Sequence, residues 1–246
     1  MKYKLNNIEI RRIFLIAIIH FALAIFYSYL KLGSESIGQS DSIKYLTNGI
    51  AVEDSTNLFL IILYAVPKCV LLLWVINDFV DDLKTNFVYI FLRTSNRTDW
   101  LNATVIKSII SIFYYEIVFG VCVVALLVCK GTCGFSGKIL IPLGCEFAQM
   151  LMLALLSNTM QLYLSSTTCV FGTIFAVGIP VIITGVVYEN NGMWEYLVRF
   201  IPFNWGNYNY MVTSKVNMAI MFAGICAMCI LIYIILKWKI NKYELM

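Results

Sequence analysis

A few ionisable residues lie inside otherwise apolar stretches of this chain, and they are its strongest candidates for chemistry. Lys68 and Glu116 fall near the middles of two neighbouring stretches, and His20 is the only histidine in the sequence. A charge at mid-membrane depth is costly, so such residues pair with one another or face water. Their types suit either a polar lining or conformational latch, or a structural pair that fixes helix packing. We expect Lys68 and Glu116 to meet, with His20 at a similar depth.

A further carboxylate, Glu146, lies with Gln149 in the outer half of a later apolar stretch. At that depth a hydrated vestibule can reach both side chains from the outside. We therefore group His20, Lys68, Glu116 and Glu146 as the intramembrane polar residues of the chain.

Motifs for catalysis are missing from the sequence. A single histidine excludes a zinc-protease motif, which needs two on one helix face. The sequence contains no Gly-x-Ser-x-Gly elbow of a serine hydrolase. Residues 131–138 resemble a phosphate-binding loop, but the spacing is one residue too long and Ile139 stands where a serine or threonine would hold magnesium. We predict no catalytic residue, no metal site and no cofactor in this chain.

The elements that must position these residues are long apolar stretches. The chain of 246 residues is 61% hydrophobic and 13% charged. Each stretch has about the 17–25 residues that a helix needs to cross a hydrocarbon core of roughly 30 Å, where the backbone must satisfy its own hydrogen bonds. The sequence therefore predicts an all-α, polytopic membrane protein, with residues 1–246 forming a single transmembrane domain. The six predicted spans are 13–30, 58–76, 109–128, 139–164, 169–187 and 218–236.

The distribution of basic residues predicts the orientation of these spans. With the N-terminus inside, inner segments carry eleven lysines and arginines and outer segments carry six. The positive-inside rule then places both termini in the cytoplasm of a multi-pass protein of the cell membrane. Because no concentrated basic face is present, we expect no nucleic-acid partner.

Most of the eight cysteines lie within apolar runs, where a thiol behaves as a small hydrophobic group. Cys129 and Cys133 flank a predicted outer loop. The sequence leaves open whether these two form a disulfide or remain free thiols.

The inner segment 77–107 has a composition of its own. It begins with acidic residues, continues through Phe87, Phe91 and Leu92, and then turns basic at Arg93 and Arg97. This order suits a short helix lying at the membrane surface. The alternative is an extension of the second or third span.

The outer segment 188–215 is rich in aromatic residues around Pro202. Aromatic rings with polar handles favour the membrane interface. We expect short interfacial helices here, partly re-entrant and broken near Pro202.

This layout resembles the membrane subunit of a type 2 ATP-binding-cassette exporter, as a pattern over nearly the full chain. Segment 2–12 corresponds to the family's cytoplasmic amphipathic segment, and 81–100 looks like its coupling helix. Segment 188–210, with Ile-Pro-Phe-Asn at 201–204, is similar to its outer re-entrant helices. The small size looks most like permeases of bacteriocin or lantibiotic systems, which export antimicrobial peptides or protect against them.

The resemblance implies a permease driven by a separate ATP-binding subunit, with ATP and magnesium held by that partner. Phe87, Phe91 and Leu92 would anchor the docking helix, and Arg93 and Arg97 would contact its rim. The subunit would form a homodimer or a heterodimer with a second permease among membrane lipids. Two other classes compete: a small-molecule-binding membrane subunit of the vitamin-capture type, and a structural or signalling membrane protein without transport.

Overall fold

The fold consists of helices alone within the part of the chain that the structure describes, and the predicted all-α class is confirmed. A computed structural model describes residues 7–32, 46, 49–85, 97–130, 139–189, 200–207, 209–210, 212 and 217–242. The long helices are α1 (Asn7–Leu32), α2 (Leu58–Thr85), α3 (Arg97–Cys129), α4 (Leu140–Gln161), α5 (Ser166–Glu189) and α6 (Met218–Lys242).

All six helices are long and apolar enough to cross a membrane, with mean hydropathies from 1.7 to 2.8 over their spans. Large apolar side chains such as Leu58, Val121 and Ile220 are exposed on the outside of the bundle. This surface suits hydrocarbon, because lipid tails solvate apolar side chains as well as protein does.

Helix α4 lies at the centre of the bundle. It packs against α2, α3, α5 and α6. Its span is the most buried of the six and also has the lowest mean hydropathy, because it carries polar residues such as Ser157 and Asn158. A central helix tolerates these side chains since they face protein instead of lipid.

Two short 3-10 helices, Val52–Asp54 and Pro202–Asn204, lie where α1, α3 and α5 end. We call this the cap end of the bundle, and the opposite end, where α1 begins and α6 finishes, the terminal end. Asparagine side chains hold the cap together. Asn207 donates to the carbonyl oxygen of Ile50 at 3.0 Å, and Asn209 donates to that of Gly49 at 2.8 Å.

The segment 200–207 enters the bundle, which agrees with the predicted re-entrant stretch. The side chain of Gln149 donates to the carbonyl oxygen of Phe203. At about 1.5 Å per residue, Gln149 lies about 13 Å into α4 from Leu140. Gly206 lies so close to Gln149 that a β-carbon there would overlap its side chain. The remaining part of the predicted stretch, 190–199, lies outside the described residues.

The two ends of the predicted coupling helix 81–100 belong to transmembrane helices. Residues 81–85 continue α2 and residues 97–100 begin α3. The alternative, an extension of the spans, therefore holds for these two parts. The stretch 86–96 between them lies outside the described residues, and the coupling helix stays a prediction there. At the N-terminus, residues 7–12 likewise belong to α1.

Candidate functional site

The ammonium group of Lys68 is the centre of a polar cluster inside the bundle. Lys68 is fully buried on α2, and its Nζ lies 3.7 Å from Oε1 of Glu146 on α4. The same atom donates to Oε1 of Gln149 at 3.5 Å. It also lies 3.7 Å from the centre of the Tyr64 ring, which stabilises a cation by its π face.

Helix periodicity explains why these side chains meet. Glu146 and Gln149 are three residues apart on α4, and Tyr64 and Lys68 are four apart on α2, so each pair shares one helix face. The packing of α2 against α4 brings the two faces together. A buried ammonium is tolerated here because a carboxylate, an amide oxygen and an aromatic face replace its water.

The prediction of a contact between Lys68 and Glu116 is wrong. Lys68 pairs with Glu146, and neither carboxylate oxygen of Glu116 accepts a hydrogen bond from the described residues. Glu116 is buried on α3 and lies close enough to Lys68 and Glu146 to interact with them electrostatically. The central cluster thus contains one lysine and two glutamate side chains, and only Glu146 contacts Lys68 directly.

His20 belongs to a neighbouring seam between α1 and α3. Its Nδ1 forms a short hydrogen bond with the hydroxyl of Tyr115, and its ring stacks on Phe119 with 4.3 Å between ring centres. A cavity of about 20 Å³ lies between α1 and α2, and both His20 and Tyr64 line it. That volume is enough for about one water molecule.

The other predicted site residues are those of the docking segment. Phe87, Phe91, Leu92 and Arg93 lie outside the described residues, so their role stays a prediction. Arg97 is the first residue of α3, and its Nη1 donates to the carbonyl oxygens of Ile240 and Asn241 at 3.4 Å each. A guanidinium suits this place, because the last carbonyls of a helix lack partners within the helix.

Sequence reasoning missed three participants in the polar interior. Tyr64 lies one helical turn before Lys68, and this spacing is the sequence signal that could have placed it beside the ammonium group. Tyr115 meets His20 across two helices, and the carbonyl of Phe203 meets Gln149 across a re-entrant turn. These last two contacts depend on tertiary packing and have no local sequence signal.

The contacts of the cluster join three parts of the bundle. Lys68 links α2 to α4, and Gln149 links α4 to the re-entrant segment. Comparison with family models, with curated proteins and with solved structures finds no match. The function of this chain must therefore be inferred from its own residues.

Proposed function

We propose that this chain is the membrane-spanning permease subunit of an ATP-binding-cassette exporter in the cell membrane. It would move an amphipathic cargo, such as an antimicrobial peptide or a lipid, with energy from a separate ATPase subunit. The main support for this proposal is segment 81–100, whose residues are first acidic, then apolar and then basic. The same sequence has no phosphate-binding loop of the correct spacing. Such a segment needs a partner groove to bury its apolar side chains.

The helices that flank this segment are suited to hold it clear of the membrane. Helix α2 has 28 residues and α3 has 33. At about 1.5 Å per residue they are about 42 and 50 Å long, against a hydrocarbon core of roughly 30 Å. Both helices therefore have length to extend into the interface, which supports a docking role for the connection between them.

Two sets of contacts link the connection between α2 and α3 to other helices of the bundle. On one side α2 carries Lys68, which contacts Glu146 and so reaches the central helix. On the other side Arg97, at the start of α3, contacts the last turn of α6. A partner that displaces the connection would thus pull on α4 and α6 together. We propose that closure of the ATPase reaches the cap end by these contacts and by the bond from Gln149 to Phe203.

Side chains at the terminal end support a cytoplasmic location for that end. Lys239 and Lys242 lie 4.8 and 4.3 Å from the centre of the Trp238 ring, and Lys239 lies 5.0 Å from that of Tyr163. Basic and aromatic side chains together are typical of the interface of a cytoplasmic leaflet. A dimer, with itself or a second permease, would then enclose the cargo path, because six helices enclose a large amphipathic cargo poorly.

The decisive experiment is purification of the chain from its native membrane, followed by a search for a bound ATP-binding-cassette ATPase. We expect the wild-type protein to retain the ATPase. Phe91→Asp should release it and uncouple ATP hydrolysis from transport, because a charge replaces an apolar anchor. Ser95→Asp is the matched control, since it adds the same charge at a polar position of the same segment. If the wild-type protein binds no ATPase, the exporter proposal fails.

A further inference from the structure

The end of α6 carries two lysines whose ammonium groups lie against the same indole ring. Nζ of Lys239 lies 4.8 Å from the centre of the Trp238 ring, and Nζ of Lys242 lies 4.3 Å from it. Lys239 also lies 5.0 Å from the centre of the Tyr163 ring, just beyond the end of α4. Rings from two parts of the chain therefore hold these cations in place. We call Tyr163, Trp238, Lys239 and Lys242 the aromatic–lysine cluster.

No carboxylate in the described part of the chain neutralises the two lysines of this cluster. The sequence of α6 contains three lysines and no acidic residue. Both salt bridges of the described residues involve other lysines. The carbonyl groups of Ile240 and Asn241, which lysines at a helix end often neutralise, accept from Arg97 instead. The cluster thus presents two positive charges to an anion.

An apolar stripe leads to the cluster along the lipid-facing side of α6. Ile230 and Ile234 precede Trp238 by eight and four residues, so the three side chains follow one side of the helix. All three are more than half exposed. From Ile230 to Trp238 the helix rises about 12 Å, and the hydrocarbon of one leaflet is about 15 Å thick. The stripe therefore has the length and the chemistry to contact an acyl chain.

We propose that the aromatic–lysine cluster binds an anionic phospholipid. The lipid phosphate lies between the ammonium groups of Lys239 and Lys242, and the acyl chain follows the stripe of Ile230 and Ile234. Apolar chain, interfacial region and anionic headgroup then follow one another in the same order along the lipid and along α6. A zwitterionic phospholipid fits less well, because the cation of its headgroup is repelled by the two lysines.

The test is photolabelling of the purified full chain in phosphatidylcholine nanodiscs. Phosphatidylglycerol and phosphatidylcholine probes, each with a diazirine in the middle of one acyl chain, are added in turn at the same low fraction. Chymotrypsin cleavage and mass spectrometry then quantify the labelling of residues 230–238. We expect the phosphatidylglycerol probe to label them about tenfold more strongly, and unlabelled phosphatidylglycerol to compete. Inorganic phosphate should not compete, because it has no acyl chain for the stripe.

Lysine variants distinguish a defined site from general surface charge. Lys239→Gln and Lys242→Gln should each lower the ratio of phosphatidylglycerol to phosphatidylcholine labelling about fivefold, the effect of one basic residue on an anionic lipid at the membrane surface. Lys237→Gln is the matched control, since it removes the same charge from an exposed lysine outside the cluster. That variant and Lys242→Arg, which retains the charge, should keep most of the ratio.

Three results would overturn the proposal. Equal labelling by the two probes would show that the site does not select an anionic headgroup. An equal loss in Lys237→Gln and Lys242→Gln would show that only the total surface charge matters. Competition by inorganic phosphate would show that the lysines bind free anions and not a lipid. Because the experiment contains no ATPase, its result is independent of the exporter proposal.

Discussion

The ammonium of Lys68 lies 3.7 Å from the carboxylate of Glu146, and this contact joins α2 to the central helix α4. Both side chains are buried. Removing one member of a buried pair leaves the other charge without compensation, which costs about 3–5 kcal/mol. The pair is therefore expected to hold the two helices in one register.

The first prediction is that Lys68 and Glu146 are energetically coupled. Lys68→Met and Glu146→Gln should each lower the free energy of unfolding, and the double variant should lose less than the sum, with a coupling of about 0.5–3 kcal/mol. The measurement is unfolding of the purified protein in mixed micelles. The comparison is the cycle of Lys68→Met with Glu116→Gln, where we expect weaker coupling because that pair has no direct contact. Equal coupling in the two cycles would contradict the observed pairing.

A second prediction concerns the re-entrant segment. Gly206→Ala should destabilise the protein by about 1–3 kcal/mol, because the new methyl group overlaps the Gln149 side chain. Gly144→Ala makes the same chemical change in open space on α4, and it should be neutral or stabilising by up to about 1 kcal/mol. Thermal unfolding of both variants checks the contrast. Equal stability of the two would show that 200–207 does not pack against Gln149.

The third prediction is topological. A reporter fused after Met246 should be active in the cytoplasm, and Lys44→Cys should react with a membrane-impermeant maleimide added to intact cells. The reason is the excess of basic residues on segments predicted to be inside. A variant with Lys44→Ser in the same background controls for the native thiols, of which Cys129 is exposed at the cap end. If a cysteine placed at Met246 reacts with the external reagent, the protein has the opposite orientation and the prediction is wrong.

A fourth prediction separates two roles of Arg97. Because its guanidinium donates to the carbonyls of Ile240 and Asn241, Arg97→Ala should lower stability by about 1 kcal/mol. Arg97→Lys should recover part of the loss, since an ammonium can reach only one carbonyl well. We expect Arg97→Ala to keep the ATPase bound, unlike Phe91→Asp, when both are compared by co-purification. Loss of the ATPase with unchanged thermal stability would assign Arg97 to docking instead.

The spans could be predicted from the sequence, but the ends of the helices could not. The third apolar run was placed at 109–128, whereas α3 begins at Arg97. Hydropathy identifies only the part of a helix that contacts lipid, so it does not locate polar turns beyond the membrane. The first turns of α3 are polar and include Trp100, which packs against Phe79 with 5.6 Å between ring centres. Protein contacts, not lipid, hold that part of the helix.

The members of the polar cluster could also be predicted one by one, but their pairing could not. Lys68 lies about 15 Å along α2 from the cap end, while Glu146 lies about 9 Å along α4 and Glu116 about 20 Å along α3. Depth alone therefore allows either carboxylate as the partner. The rotation of each helix about its axis decides between them, and that rotation is set by packing over the whole bundle.

The asparagine contacts of the cap have a consequence for biosynthesis. Asn207 and Asn209 hold carbonyl groups that are 157 and 160 residues earlier in the chain. At roughly 5–20 residues per second, a ribosome needs about 10–30 s to make that interval. Until then the carbonyl groups of Gly49 and Ile50 cannot have these asparagine partners. The cap therefore closes late, and cysteines substituted at Gly49 and Asn209 should cross-link only on chains released after the last span is complete.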